Sequence, residues 1–439
     1  MTTLRIIFSL VLSLSLLAVP ACTAQPKMEA KPAAAFFDKY EPVKAPTYDS
    51  LYLKPGDRLA IAGDSITEQK MYSRIMETYL TVCQPELNVS VRQYGWSGET
   101  AEGFLRRMQN DCLRFKPTIA TTCYGMNDFR YRPIDAEIDR KYRENYTAVA
   151  RAFKDAGARV VLGSPGCVDK VAAWVKSGSG TLEEHNLHLA ALRNIGIEIA
   201  RQEQIRFADI FWPMLTAGYE ARQKYAPDYA IAGKDGVHPG WAGHTVMAYA
   251  FLKSMGVDGN LGTFTVDLKK GRATASAGHT VESLADNTLT LTSRRYPFCA
   301  TGDVKDDNSI RSGMALVPFN KDLNRLTLVV RGATAAKYRI TWGDQSRVYT
   351  AEQLGKGINL ADDFAVNPFS EAFRKVDEAV AAKQAYETKQ IKSDFHGKDA
   401  KGNMEEVVEK TEAERKPLVE AIKAAFVPVR HGVRIEAEK

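Results

Sequence analysis

Between residue 51 and about residue 257 the chain alternates two kinds of apolar pattern. Short continuous runs at 59–62, 89–91, 118–123, 160–163 and 205–208 are bounded by glycine or polar residues, as strands buried on both faces are. Apolar residues at helical spacing fill 71–82, 101–115, 136–156 and 181–202, and a last such stretch covers 241–254. This alternation predicts an α/β domain over residues 51–260, a mostly parallel five-stranded sheet between two layers of helices. Ligands of such three-layer α/β/α folds bind beyond the carboxyl ends of the strands.

After residue 261 the period changes. The segments 263–266, 289–291, 326–330, 338–342 and 347–350 alternate apolar and polar residues or carry β-branched runs, which predicts a small antiparallel β-region over 261–352. Residues 353–439 read as a helical region, with helices over about 368–394 and 405–425. Phe373, Val376, Ala379, Val380 and Gln384 share one stripe, and sustained heptads are missing, so these helices are expected to dock on the rest.

The amino terminus has a separate pattern. Arg5 precedes an apolar run over 6–19 that is shorter than a membrane span and ends in Pro20-Ala21-Cys22-Thr23-Ala24, an export signal over residues 1–24. Two outcomes stay open: cleavage before Cys22 with lipid on that thiol, or cleavage near Ala24. Export places the protein in the periplasm, on the outer membrane or outside the cell, with a lipid anchor as its one expected membrane contact. Residues 25–50, with Pro26, Pro32, Pro42, Pro46 and several lysines, read as a linker.

Charged residues are 26% of the 439 and hydrophobic ones 45%, the balance of a globular protein, and the net charge of +6 is spread along the chain. No basic stripe with interleaved aromatics stands out, so a nucleic-acid partner is not expected. Cys83, Cys112, Cys123, Cys167 and Cys299 have no framework spacing; Cys123, in an apolar run, reads as a small buried hydrophobe, and any pairing stays open.

The chemistry lies in four short motifs in order: Gly63-Asp64-Ser65-Ile66-Thr67, Ser97-Gly98-Glu99-Thr100, Gly125-Met126-Asn127-Asp128 and Asp235-Gly236-Val237-His238. Gly-Asp-Ser alone arises by chance in roughly one chain of this length in ten, so the weight rests on all four together. Ser65 falls at a strand-to-helix turn, where its hydroxyl is exposed and its own N–H lies in the helix N-terminal field. A serine hydroxyl is a weak nucleophile until a base takes its proton. His238 is the candidate base, and Asp235 can hold the other imidazole N–H. The Gly98 N–H and the Asn127 side-chain NH2 are candidate donors to an oxyanion.

These blocks resemble the SGNH family of hydrolases, also called GDSL esterases, over roughly residues 55–255. The resemblance implies Ser65, Asp235 and His238 as a catalytic triad, and the N–H of Ser65 with Gly98 and Asn127 as oxyanion donors. Gln93 stands where the family often has Asn, which leaves Gly95 as an alternative to Gly98; the Ser-Gly-Glu-Thr setting favours Gly98. Asp64, Tyr94, Trp96, Tyr124 and Asp128 are expected to meet substrate, and Phe129 joins the aromatic set suited to a sugar ring. His185 and His188 are expected as solvated helix residues rather than metal ligands, and His244 as structural; no metal or other cofactor is expected. The function expected is an exported serine esterase removing acyl groups, above all acetyl, from a small-molecule or polysaccharide ester. A lipase, lysophospholipase or thioesterase is the rival, and a non-catalytic carbohydrate-binding protein ranks below both. The oligomeric state is not legible.

Overall fold

The continuous apolar runs become the strands of one parallel sheet. In the computed structural model, which describes residues 27–438, β1 (Arg58–Gly63), β2 (Ser90–Gln93), β3 (Ile119–Cys123), β4 (Arg159–Gly163) and β5 (Arg206–Ala208) pair in the order β2-β1-β3-β4-β5. The connecting helices are α1 (Ser65–Glu68), α2 (Tyr72–Cys83), α3 (Ala101–Asp111), α4 (Ala136–Asp155), α5 (Leu182–Glu203), α6 (Phe211–Lys224) and α7 (Trp241–Ser254). Parallel crossovers are right-handed. The chain moves one way from β1 to β2 and the other way from β2 through β5, so α2 lies on the face opposite α3, α4 and α5. The reversal leaves a crevice between β1 and β3 at their carboxyl ends.

Local chemistry sets the boundaries. Asp64, Thr100, Asp135 and Thr181 cap α1, α3, α4 and α5 with side-chain oxygens. The single helix expected over 101–115 instead stops at Asp111, and a separate tight turn, Leu113–Phe115, follows it.

Three expectations about the remaining chain need correction. Residues 27–50 are not a free linker: Phe37 and Tyr40 are buried against Trp212 and Tyr219, and Val43 O accepts from Arg193 at 2.8 Å. Four aromatic rings outweigh the extended bias of the prolines. The export signal expected over 1–24 lies outside the described residues.

The β-region is not wholly antiparallel. β6 (Asn260–Asp267), β7 (Arg272–Ala275), β8 (His279–Ala285), β9 (Thr288–Ser293), β10 (Arg325–Arg331), β11 (Lys337–Trp342), β12 (Gln345–Thr350) and β13 (Ile358–Asn359) form two sheets, and β6 pairs with β10 in parallel. A 57-residue crossover, from Leu268 to Asn324, allows this pairing. It carries α8 (Ile310–Leu316) and α9 (Phe319–Leu323) as well as β7, β8 and β9.

Nor is the last region helical throughout. After α10 (Ala351–Lys356), α11 (Leu360–Asp363), α12 (Ser370–Lys389), α13 (Lys398–Gly402) and α14 (Met404–Ala425), the strand β14 (Val429–Ala437) inserts between β9 and β11, giving the order β12-β11-β14-β9-β8. The helix α12 docks on α2 and on the edge strand β2. Lys383, buried there, donates to Glu77 at 2.9 Å, Glu387 at 2.9 Å and Val91 O at 2.6 Å, and Ser73 donates to Gln384 at 2.7 Å.

Candidate active site

The four motifs meet at the carboxyl ends of adjacent strands: Ser65 after β1, Gly98 after β2, Asn127 after β3, and Asp235 and His238 in the turn before α7. Ser65 opens α1, and the Asp64 carboxylate accepts from the Ile66 N–H at 3.0 Å. Ser65 Oγ lies 2.7 Å from His238 Nε2, and His238 Nδ1 lies 2.7 Å from Asp235 Oδ2. A carboxylate only accepts, so Nδ1 carries the proton and Nε2 is left to accept from the serine hydroxyl.

Asp235 is itself held. Its Oδ1 accepts from the N–H of Val237 at 2.9 Å and of His238 at 2.8 Å. Burial pushes this carboxyl up, but those N–H groups and the imidazole outweigh it and hold it below the usual carboxylate range. Gly236 between them has φ +84°, and a Cβ there would fall 2.4 Å from Lys170 Cγ and 2.8 Å from Lys170 N.

The two glycines left open by the sequence separate cleanly. A Cβ on Gly95 would come within 2.2 Å of Glu68 N, so Gly95 permits close packing of its loop on α1. Gly98 has φ +74° and open space around it, and among the described residues its N–H meets no acceptor. Asn127 Nδ2 donates one N–H to Glu99 O at 3.0 Å, leaving its second free. Glu99 in turn is clamped by Arg107 through Nε and Nη2 at 2.6 and 2.7 Å and by the Tyr124 hydroxyl at 2.8 Å.

That clamp corrects most of the expected substrate contacts. Tyr94 and Tyr124 are 1% and 0% exposed, and Phe129 is likewise buried. Asp128 accepts from Ala101 N at 3.0 Å and Gly125 N at 2.9 Å, and Asp64 caps α1. Burial pushes Asp64 up to about 7 and Asp128 up to about 6. These side chains brace the loops from behind. Trp96 alone of the set stays partly exposed at the rim.

Sequence reasoning missed Trp174. It lies in the loop between β4 and α5, is 51% exposed, and its ring centroid is 5.7 Å from that of His238. Tyr131 stands edge-on to it at 6.2 Å, at the end of two consecutive non-glycine residues, Arg130 and Tyr131, both with φ +54°. Each such residue costs of order 1–2 kcal/mol, and strain of this kind gathers at functional sites. A lone tryptophan in a stretch of lysine, serine and glycine was the only available signal.

Two of the other histidines differ from expectation, while His244 is structural as expected. His185 and His188 are buried, not solvated: His185 bonds Ser179 O at 3.1 Å, while His188 bonds Arg132 O at 2.8 Å and Asp139 at 2.9 Å. Both rings stand edge-on to Phe129, which draws that helix face inward. His244 is buried beneath Tyr72, and burial lowers its imidazole to about 3. Among the described residues no cluster of three metal-ligating side chains occurs, and the five cysteines are buried and unpaired.

Residues 61–246 match the GDSL-like Lipase/Acylhydrolase family. Among solved structures, a gut microbial diltiazem-metabolizing enzyme superposes with a TM-score of 0.71 at 22% identity, covering 89% of this chain and 99% of that one. The two therefore share the fold, the C-terminal sheets and helices included. An acetylxylan esterase from Geobacillus stearothermophilus matches at 22% identity over 47% of this chain and 97% of its own, with a TM-score of 0.39. No curated protein sequence matches.

Proposed function

We propose that this chain, whose residues 61–246 match the GDSL-like lipase/acylhydrolase family, is an exported serine esterase of the SGNH type that removes O-acetyl groups from carbohydrate. The observation that carries the mechanism is the relay Ser65–His238–Asp235, with both hydrogen bonds at 2.7 Å. His238 Nε2 takes the Ser65 proton as Oγ attacks the ester carbonyl. The carbonyl oxygen becomes an oxyanion facing the N–H groups of Ser65 and Gly98 and the free N–H of Asn127. Collapse breaks the bond to the sugar oxygen, which leaves with the proton held on Nε2. Water then gives a proton to Nε2, attacks the acyl-serine, and releases acetate as Ser65 recovers its proton. Asp235 fixes the tautomer throughout.

Trp174 supports sugar over lipid. A half-exposed indole beside the base offers a flat apolar face with a polar edge, which suits a pyranose ring. Export rests on the apolar run 6–19 and the small residues after it.

Fluorophosphonate labelling with peptide mapping tests the nucleophile: label on Ser65 is expected, and label on another serine refutes the relay. The acyl group is tested by kcat/KM on p-nitrophenyl esters, which should fall steeply from acetate to butyrate and approach zero by octanoate; a rate that climbs with length favours a lipase. Trp174→Ala should raise KM for an acetylated xylo- or chito-oligosaccharide while sparing p-nitrophenyl acetate. Equal effects on both would remove the sugar platform.

A further inference from the structure

The C-terminal region reaches the site. A π-helical turn, Gln390–Asp394, follows α12 and carries Lys392 to the rim. Lys392 Nζ donates to both oxygens of Glu68, at 2.7 and 2.9 Å. Glu68 Oε2 also accepts from the Ser97 N–H at 2.5 Å and the Ser97 hydroxyl at 2.6 Å. Glu68 is the last residue of the four-residue helix that begins at Ser65, and Ser97 immediately precedes Gly98. One carboxylate therefore ties the loop bearing the Gly98 N–H to the helix bearing Ser65.

The same segment grips that loop at Trp96. Around the indole stand Lys392 Nζ at 5.4 Å, the Arg107 guanidinium at 5.0 Å and the His396 ring, edge-on, at 5.0 Å. His396 bonds Asp111 at 2.8 Å, and Phe395 stacks on Phe115 at 6.0 Å. Gly98 needs such a brace because nothing packs within 4 Å of where its Cβ would stand. A donor that drifts by an ångström loses most of its hold on a developing charge.

We propose that Lys392, from a region outside the hydrolase domain, is a positioning residue that holds the Gly98 N–H in place through Glu68 and Ser97. It touches neither substrate nor reacting atoms. An isolated surface ion pair contributes little, but this one sits between two catalytic elements and has Ser97 as its third member. The inference rests on Ser65 being the nucleophile and Gly98 an oxyanion donor.

The test uses the full chain and p-nitrophenyl acetate, with kcat, KM, the rate of fluorophosphonate labelling and Tm read together. Lys392→Ala should lower kcat about tenfold and slow labelling in parallel, with KM changed by less than about twofold. Lys392→Arg should restore most of the loss. Adding Lys392→Ala to Glu68→Ala should cost little beyond Glu68→Ala alone, because the cation acts through that carboxylate. If Lys392→Ala fails to fold, Lys392→Gln takes its place. A kcat within twofold of the parent, a loss that arginine does not restore, or single losses that simply multiply in the double variant overturns the proposal. Label on a serine other than Ser65 would instead overturn the esterase mechanism on which it rests.

Discussion

Asn127→Ala separates oxyanion chemistry from loop packing. The side chain has two N–H donors, one held by Glu99 O at 3.0 Å and one free. Removing the free one should cost about 10²–10³ in kcat, or about 2.7–4 kcal/mol of transition-state stabilisation. Removing the held one leaves the Glu99 carbonyl without its side-chain donor, for about 1–3 kcal/mol of folding stability. The lower end applies, because Asn127 is only partly buried and water can reach the gap. The two losses fall on different measurements: steady-state hydrolysis of p-nitrophenyl acetate reads the first, and urea unfolding the second. Asn127→Asp sharpens the comparison, since a carboxylate would face both the Glu99 carbonyl and the oxyanion and should lower kcat further. If Asn127→Ala keeps full kcat while losing stability, Asn127 is a loop brace and the oxyanion assignment fails.

Two further outcomes follow from the buried charges. Arg107→Met leaves Glu99 and Asp111 without their guanidinium and should destabilise by about 3–5 kcal/mol; urea unfolding showing a loss under about 1 kcal/mol would contradict the clamp. Asp64 stays protonated in the folded protein up to about 7, against 3.8 as its ordinary value, so between those values the folded state holds a proton that the unfolded state has lost, and stability from this group falls as pH rises through that window. Asp64→Asn keeps an acceptor for the Ile66 N–H and removes this term, so the Tm of the variant relative to the parent should rise from pH 5 to pH 8. A difference independent of pH would refute it.

The parallel sheet was legible because its strands are buried on both faces and announce themselves as continuous runs. Its longer helices were legible through their period, except α6. That helix opens with Phe211-Trp212-Pro213 and is apolar on too many sides to show a stripe. Past residue 261 the hairpins β6–β7, β8–β9 and β11–β12 are local, but the pairings that join them into sheets, β6 with β10 and β14 with β9 and β11, are distant in sequence and not encoded locally. β14 alternates buried Val433 and Ile435 with arginine, yet its neighbour β9 is about 140 residues upstream. In the site, the four motifs carry their spacing with them. Asp64, Tyr94, Tyr124 and Asp128, in or beside them, were misread as substrate contacts because burial behind a loop and exposure in front of it share one local pattern. Trp174 and Lys392 arrive from elsewhere in the chain, and only the fold brings them in.

The position of β14 has a consequence for how the enzyme matures. A chain synthesised only as far as α14 has β9 and β11 with facing edges and nothing between them. The accessory sheet therefore closes only when residues 429–437 emerge, and such late, long-range closure is intrinsically slow. Helix α12 and the segment bearing Lys392 rest on α2, β2 and the loop around Trp96, so they and the parallel sheet, whose last strand ends at Ala208, can dock before β14 arrives. The esterase would thus have its nucleophile and its oxyanion loop in place while the accessory sheet is still open, and would acquire turnover before it acquires its complete fold.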